Sequence, residues 1–142
     1  MKNWEDLVTS SELLAVLEIK NSFVEKDFSE VEEGLNQLIK TMSNSEKREL
    51  TSELSRLMQV VAKWKYLPES RNRKWLAAIF FSRYEIKLIR KYSPILTDEI
   101  VKKVWKSAFI HAQEIVEIET NYPKMNIKNL SWEEVFEQKY NL

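Results

Sequence analysis

The single histidine of the chain is the residue whose type and spacing come nearest to a metal or acid–base site. His111 and Glu114 lie one helical turn apart, and Glu117 lies a further turn along. Di-metal sites in helical bundles need Glu-x-x-His on two helices and further glutamates from two more. One histidine leaves that set incomplete. The sequence therefore predicts no metal site, and a surface histidine beside acidic side chains.

The sequence also shows no complete set of residues for nucleophilic catalysis. The chain has no cysteine. Its serines and threonines fall mostly at predicted caps and turns, and one glycine leaves no Gly-rich elbow or phosphate loop. We therefore expect no catalytic residues, no cofactor and no enzymatic activity.

Basic side chains are concentrated in the segment 63–91. This segment has nine basic and two acidic side chains, whereas residues 1–62 have seven basic and 12 acidic side chains. The 142-residue chain as a whole has a net charge of zero. Aromatic residues are interleaved with the basic ones. The candidate basic and aromatic surface consists of Lys63, Lys65, Tyr66, Arg71, Arg73, Lys74, Arg83 and Lys87.

Two kinds of partner fit a segment of this composition. Basic side chains neutralise phosphates and exposed rings stack on bases, which would suit nucleic acid. The same side chains could instead pair with acidic helices inside a bundle or on a protein partner. The acidic first half would repel phosphates, so the sequence favours charge pairing and leaves nucleic acid as the alternative. The expected partner is an unidentified protein or a second copy in a possible homodimer, with no membrane involved.

The elements that must position these residues are predicted to be helices. One glycine and three prolines in the chain disfavour hairpin-rich and Rossmann-like folds, because their turns need residues that accept positive φ. Apolar residues recur at steps of three and four, the period of a helix with one buried face. With 44% hydrophobic and 31% charged residues, the composition is that of an ordinary globular domain.

Helix limits follow from capping residues and prolines. Ser43 and Glu46 form a predicted capping box that separates a second helix from a third, and Ser131 and Glu134 form another. The predicted helices cover approximately 4–24, 28–42, 43–66, 73–92, 97–120 and 131–140. We expect an all-α fold, a single up-and-down bundle of four to five main helices plus a short C-terminal helix, forming one domain over residues 1–142.

Two features of the predicted third and fourth helices bear on function. Trp64 and Trp75 lie on the inward stripes on either side of Pro68, so these three residues are expected to be structural anchors. Phe81, Tyr84 and Leu88 form a second apolar stripe on the fourth helix, which either packs inside the bundle or mediates self-association.

The chain shows no pattern for export or membrane insertion. The residues after Met1 turn acidic at once, and the stretch Leu13 to Leu17 is too short for the apolar core of a signal peptide. Apolar runs such as Leu76 to Phe81 fall far below the roughly 20 residues of a membrane span. We expect a cytoplasmic location.

Three sequence features resemble a known bacterial family. The first is a Ser-Glu-Lys-Arg helix start at Ser45, the second a Lys-Trp-Lys-Tyr-Leu-Pro helix end at Lys63, and the third an Arg-Asn-Arg-Lys-Trp segment at Arg71. Two later segments follow in the same order as in that family: Glu119 to Asn121, and Ser-Trp-Glu-Glu-Val-Phe beginning at Ser131. The pattern resembles domain-of-unknown-function family twenty-nine, helical proteins abundant in cyanobacteria.

This resemblance implies a helical fold and no particular activity. Family members often carry an acidic end to the second helix and a histidine three residues before the Lys-Trp pair. This chain has Gln37 to Ser43 and Val60 at those places. Any polar site that relatives build from those residues is therefore lost here.

Overall fold

Five α-helices form the computed structural model, which describes residues 2–123 and 126–142. Their ranges are α1 (Trp4–Ser10), α2 (Glu12–Val24), α3 (Phe28–Tyr66), α4 (Arg73–Tyr92) and α5 (Asp98–Thr120). A 3-10 turn covers Pro68–Ser70, and a π-helical turn covers Glu133–Glu137. Within the described ranges there is no strand, which confirms the prediction of an all-α helical bundle. None of the helices described is both long enough and apolar enough to cross a membrane.

The structure corrects two predicted boundaries. The first predicted helix is two helices, because Ser11 adopts an extended backbone and its side chain accepts a hydrogen bond from the Leu14 N–H. The predicted break at Ser43 is absent, and α3 continues from Phe28 to Tyr66. Ser43 to Glu46 include neither proline nor glycine, and extending an existing helix costs far less than starting one.

Other predicted helix ends are confirmed. Asn72 caps α4 by accepting a hydrogen bond from the Trp75 N–H at 3.0 Å, and Thr97 caps α5. At Ser131 and Glu134, each backbone N–H donates to the other's side-chain oxygen, as expected of a capping box. The helix that it opens ends at Glu137, earlier than predicted.

The chain divides into two compact units. The first unit (Met1–Glu46) contains α1, α2 and the beginning of α3. The second unit (Lys47–Leu142) contains the rest of α3, α4, α5 and the segment 126–142. The prediction of one domain over residues 1–142 stays a prediction.

Gly34 allows the helices of the first unit to approach closely. A Cβ at this position would lie 2.7 Å from Ile19 Cγ1 and 3.0 Å from the Trp4 ring, distances too short for any other residue without a shift. The Trp4 indole N–H donates to Glu30 Oε2 at 2.6 Å, and this bond satisfies the buried ring's donor. Trp4 and Gly34 therefore fix the packing of α1 against α3.

The second unit has the larger interior. Leu50, Leu54, Leu57 and Val61 form the inward stripe of α3 and are fully buried, as their spacing predicts. They belong to one cluster with residues of α4, α5 and the segment 126–142. That segment contributes three buried residues to the cluster: Ile127, Leu130 and Val135. The segment 126–142 is thus part of the core of the second unit.

Candidate functional site

Most of the basic segment is engaged by other parts of the second unit. Lys63 pairs with Glu119 at 2.9 Å and Lys65 with Glu134 at 2.8 Å. The other three engaged cations are arginines that bind backbone carbonyls: Arg71, Arg83 and Arg90. Five of the nine basic side chains in 63–91 therefore have partners within the unit. Three of them, Lys63, Lys65 and Arg90, pair with carboxylates, which supports the charge-pairing interpretation for these three.

Arg83 is the arginine that binds the segment 126–142 to α4. Its guanidinium donates to the Val135 carbonyl at 2.8 Å and to the Glu134 carbonyl at 3.2 Å. It also lies 5.4 Å from the centre of the Tyr140 ring. Burial lowers the pKa of Arg83 from its ordinary value and raises that of Tyr140. Arg83 donates to the Val135 carbonyl and shares the Glu134 carbonyl with the Tyr140 hydroxyl, so it has a structural role.

Lys65 and Glu134 form an ion pair beside Arg83. The hydrogen bond from Lys65 to Glu134 is the main reason that the pKa of Lys65 is raised. Burial acts to raise the pKa of Glu134, but the hydrogen bonds from Lys65 and Ser131 outweigh it, and the pKa of Glu134 is lowered. Both shifts favour the charged pair at neutral pH.

The predicted aromatic anchors take part in the same region. Trp64 is buried, and its ring meets Tyr140 edge-on with 5.8 Å between ring centres. Trp75 packs half-buried against the same core cluster, with the Lys63 ammonium 5.6 Å from its ring centre. Pro68 starts the 3-10 turn that follows α3. The Tyr66 hydroxyl accepts a hydrogen bond from the Lys128 N–H at 3.0 Å.

Three of the predicted surface residues are exposed on α4: Arg73, Lys74 and Lys87. Arg73 and Lys74 lie in the first turn of the helix. Lys87 lies near its other end and lines a groove together with the exposed Lys91. The structure therefore separates the predicted surface into a structural part and a solvent-facing part on α4.

The groove beside α4 is a concave surface with a volume of about 1270 Å³. One wall is α4, where Phe80, Phe81 and Tyr84 are 78%, 59% and 56% exposed. The opposite wall includes Trp132 and Phe136, whose ring centres are 4.7 Å apart. Trp132 in turn stacks on Trp105 at 5.7 Å, so this wall is supported from behind.

The groove accounts for Phe81 and Tyr84 of the second apolar stripe that the sequence predicts on α4, whereas Leu88 is half-buried and is not among the groove residues. Ile79, Ser82 and Ile86 face the interior and are buried. Tyr84 lies about 140–160° from them at 100° per residue, on the solvent-facing side of the helix. Sequence reasoning identified Phe81 and Tyr84 but missed the opposite wall, since Trp132 and Phe136 lie some 50 residues later along the chain.

The charged rim of the groove is mixed but mainly basic. Lys87 and Lys91 lie along the α4 wall, and Asp98 and Glu99 at the start of α5 close one end. Arg90 Nη2 donates to Asp98 Oδ1 at 2.5 Å and Arg90 Nε donates to the Leu96 carbonyl at 2.8 Å. These bonds hold the end of α4 against the start of α5.

His111 contacts a residue that sequence reasoning did not connect with it. The exposed His111 ring lies with Nδ1 2.8 Å from the hydroxyl of Ser55, which is buried inside the bundle. Gln59 also donates to the Ser55 hydroxyl, at 3.3 Å. A buried serine on the inward side of α3 offers no space for a substrate, so this contact is a packing contact between α3 and α5. No group of three or more metal-ligating side chains is found in the described part of the chain.

The sequence as a whole also matches a protein family. The model of the family "Domain of unknown function DUF29" matches residues 16–141, nearly the whole chain. The chain belongs to DUF29. The match covers the helix-end and helix-start motifs at Lys63 and Arg71, so the resemblance seen in the sequence is confirmed. No curated protein and no solved structure matches the chain significantly.

Proposed function

We propose that this DUF29 protein is a non-enzymatic interaction module that binds an amphipathic helix of a protein partner in the α4 groove. The observation that carries the proposal is the exposure of three adjacent aromatic side chains, Phe80, Phe81 and Tyr84, on one wall of that groove. Proteins rarely leave a contiguous apolar patch of this kind uncovered unless it binds something. Helix-in-groove recognition uses such apolar walls and reads side chains at steps of three and four.

Charge defines the partner further. The helix α4 has six basic residues and one acidic residue, and the exposed Lys87 and Lys91 flank the aromatic wall. A partner helix with acidic residues beside its apolar stripe would be attracted to this rim. Tyrosine is also among the residues most often found to dominate binding energy at interfaces. We expect this binding to take place in the cytoplasm.

Nucleic acid is the second candidate, favoured by the four exposed basic residues of α4: Arg73, Lys74, Lys87 and Lys91. The internal pairing of Lys63, Lys65 and Arg90 weighs against it, because these charges are already partly neutralised. Retention on heparin or nucleic-acid resin tests this candidate. We expect elution at low salt, whereas a requirement for high salt would favour nucleic acid.

Site-specific photo-cross-linking in living cells tests the proposed function directly. A photoreactive amino acid at position 84 lies within the groove, and one at position 118 replaces the exposed Ile118 of α5, which is not among the groove residues. We expect a discrete protein adduct from position 84 and none of that mass from position 118. Adducts that nuclease digestion removes, or no adduct specific to position 84, would contradict the proposal.

A further inference from the structure

The first unit carries an apolar surface that is short enough to fit within the α4 groove. In α2, Ala15, Ile19 and Ser22 face inward and are buried. Leu13, Leu17 and Val24 lie on the opposite side of the helix and are 68%, 46% and 70% exposed. The stripe from Leu13 to Val24 spans eleven residue steps, about 16 Å at 1.5 Å per residue. The α4 wall of the groove runs from Ala77 to Lys91, about 21 Å, so the stripe fits within it.

The two surfaces also match in charge. Residues 1–46 have ten acidic and four basic side chains, whereas α4 has six basic and one acidic. Lys20, the one basic residue of α2, lies on the same face as the apolar stripe, between Leu17 and Val24, and the groove carries Glu99 at one end. Two copies of α4 placed face to face would instead bring together surfaces of the same sign, which is unfavourable. A pairing of α2 with α4 therefore suits both helices better than a pairing of α4 with itself.

From these matches we infer that the occupant of the α4 groove is α2 of a second copy of this chain. The inference rests on the proposed function and names its partner. In a twofold dimer each copy inserts α2 into the groove of the other, so the two contacts are equivalent and the assembly closes at two chains. Leu13, Leu17 and Val24 meet Phe80, Phe81 and Tyr84, and the acidic first unit lies against the basic rim.

Sedimentation equilibrium of the full chain from 1 to 100 µM tests this arrangement with three variants. Leu17→Lys alters the α2 stripe, Phe81→Glu alters the groove, and Ile118→Glu places a charge at an exposed apolar position of α5 outside both. Circular dichroism and thermal midpoints establish that each variant remains folded. We expect a wild-type dimer, an unchanged dimer for Ile118→Glu, and at least a tenfold weaker dimer for each of the other two.

Mixing the two weakened variants gives the sharpest result. In a mixed dimer one contact is wild type on both sides. The other contact combines both substitutions, Leu17→Lys from one chain and Phe81→Glu from the other, and so contains an opposite-charge pair. We expect the equal mixture to form dimers at concentrations where each variant alone is monomeric. Dimer formation should also weaken several-fold between 0.05 and 0.5 M salt, because screening reduces attraction between the charged rims.

Several results would overturn the inference. A monomer mass at every concentration excludes the second copy, and a dimer weakened by Phe81→Glu but unaffected by Leu17→Lys indicates α4–α4 pairing. A mixture that stays monomeric also contradicts an exchange of α2. If the purified chain is monomeric but position 84 still gives a protein adduct of another mass in cells, the proposed function stands and only this inference fails. If neither a dimer nor an adduct is found, both fail.

Discussion

The two units of the molecule are stabilised in different ways. In the first unit one indole packs on one glycine, and the buried donor of Trp4 bonds to Glu30 close to the surface. In the second unit a large apolar cluster is combined with side-chain bonds to backbone carbonyls, such as those from Arg83 and Gln113 to the segment 126–142. Opening the second unit therefore costs both apolar burial and satisfied carbonyl groups, whereas opening the first exposes a smaller apolar set that includes Trp4, Val8 and Ile19.

This difference suggests a division of roles. Regions with fewer buried contacts open at lower free energy, and elements that rearrange on binding are drawn from them. The first unit presents the exposed stripe of α2, and the second presents a groove whose aromatic wall is supported by Trp105. We expect the second unit to supply a rigid receptor surface and the first unit the more adaptable one.

The largest expected effect is the loss of a core aromatic from the second unit. Trp64→Ala should lower the free energy of unfolding by about 3–5 kcal/mol, because it empties the site between Tyr140 and Arg71. Arg73→Ala, an exposed position nearby, should cost well under 1 kcal/mol. Denaturant titration measures both. Equal and small losses would show that Trp64 contributes little to the core.

Removal of the Arg83 guanidinium should have the next largest effect. Arg83→Met keeps the aliphatic stem but removes the Arg83 donor from the Val135 carbonyl, while the Glu134 carbonyl keeps its hydrogen bond from the Tyr140 hydroxyl. We expect a cost of about 1–3 kcal/mol. Hydrogen exchange should accelerate in residues 132–137 before the rest of the second unit. Lys87→Met on the same helix is the matched control. If Lys87→Met accelerated exchange in residues 132–137 as much as Arg83→Met does, the result would show that Arg83 does not bind this segment to α4.

A methyl group at Gly34 should disturb the first unit alone. Gly34→Ala gains about 1 kcal/mol of helix propensity, but the added Cβ overlaps Ile19 and Trp4, and overpacking costs about 1–3 kcal/mol. We expect a net loss near 1 kcal/mol, seen as faster hydrogen exchange within residues 4–46. The exposed position Glu32→Ala on the same helix should leave exchange unchanged. A stabilised first unit would show that Trp4 moves aside freely.

The smallest expected effect is on the pH dependence of the stability of the second unit. The lowered pKa of Glu134 means that its charged form stabilises the folded state above its ordinary pKa of 4.5, and that this contribution is lost as the pH falls through the lower folded value. Glu134→Gln keeps an oxygen acceptor for the capping box but removes the charge. Because Lys65 is substantially exposed, the acid-dependent difference should be about 1 kcal/mol or less.

The alkaline side of the same profile provides an internal check. The raised pKa values of Lys65 and Tyr140 contribute stability that is fully present at neutral pH and is lost as the pH rises past about 10. Glu134→Gln should shrink the part of this loss that comes from Lys65 and leave most of the part that comes from Tyr140, because burial is the main reason that the pKa of Tyr140 is raised. If the acid and alkaline unfolding profiles of Glu134→Gln superimposed on those of the wild type, they would contradict the ion pair between Lys65 and Glu134.

Much of the fold could be predicted from local sequence signals. The limits of α4 follow from Asn72 and from Ser93-Pro94, and those of α5 from Thr97 and Asn121, because caps and prolines act over a few residues. The break at Ser11 has a weaker signal. Thr9 and Ser10 bond back to carbonyls four residues earlier, and such hydroxyls compete with the helix without stopping it as a proline does.

Only the α4 wall of the candidate site could be predicted from the sequence. Phe81 and Tyr84 are marked by their spacing on α4, since the helical period fixes which residues face away from Ile79. The pairing of Lys65 and Arg83 with Glu134 and its neighbours depends on contacts across more than 50 residues of sequence. A single sequence shows that such charges can pair, but not which of the acidic segments comes to lie beside them.

The position of Tyr140 in the chain has a consequence for synthesis of the protein. The ring partner of Trp64 follows it by 76 residues, and the carbonyl partners of Arg83 follow by about 50. At about 5–20 residues per second, the ribosome delivers Tyr140 roughly 4–15 s after Trp64. During this interval α3 and α4 emerge with their apolar faces uncovered, while every residue of the first unit is already available to fold. The nascent chain is therefore most in need of chaperones between the synthesis of α4 and that of the segment 126–142.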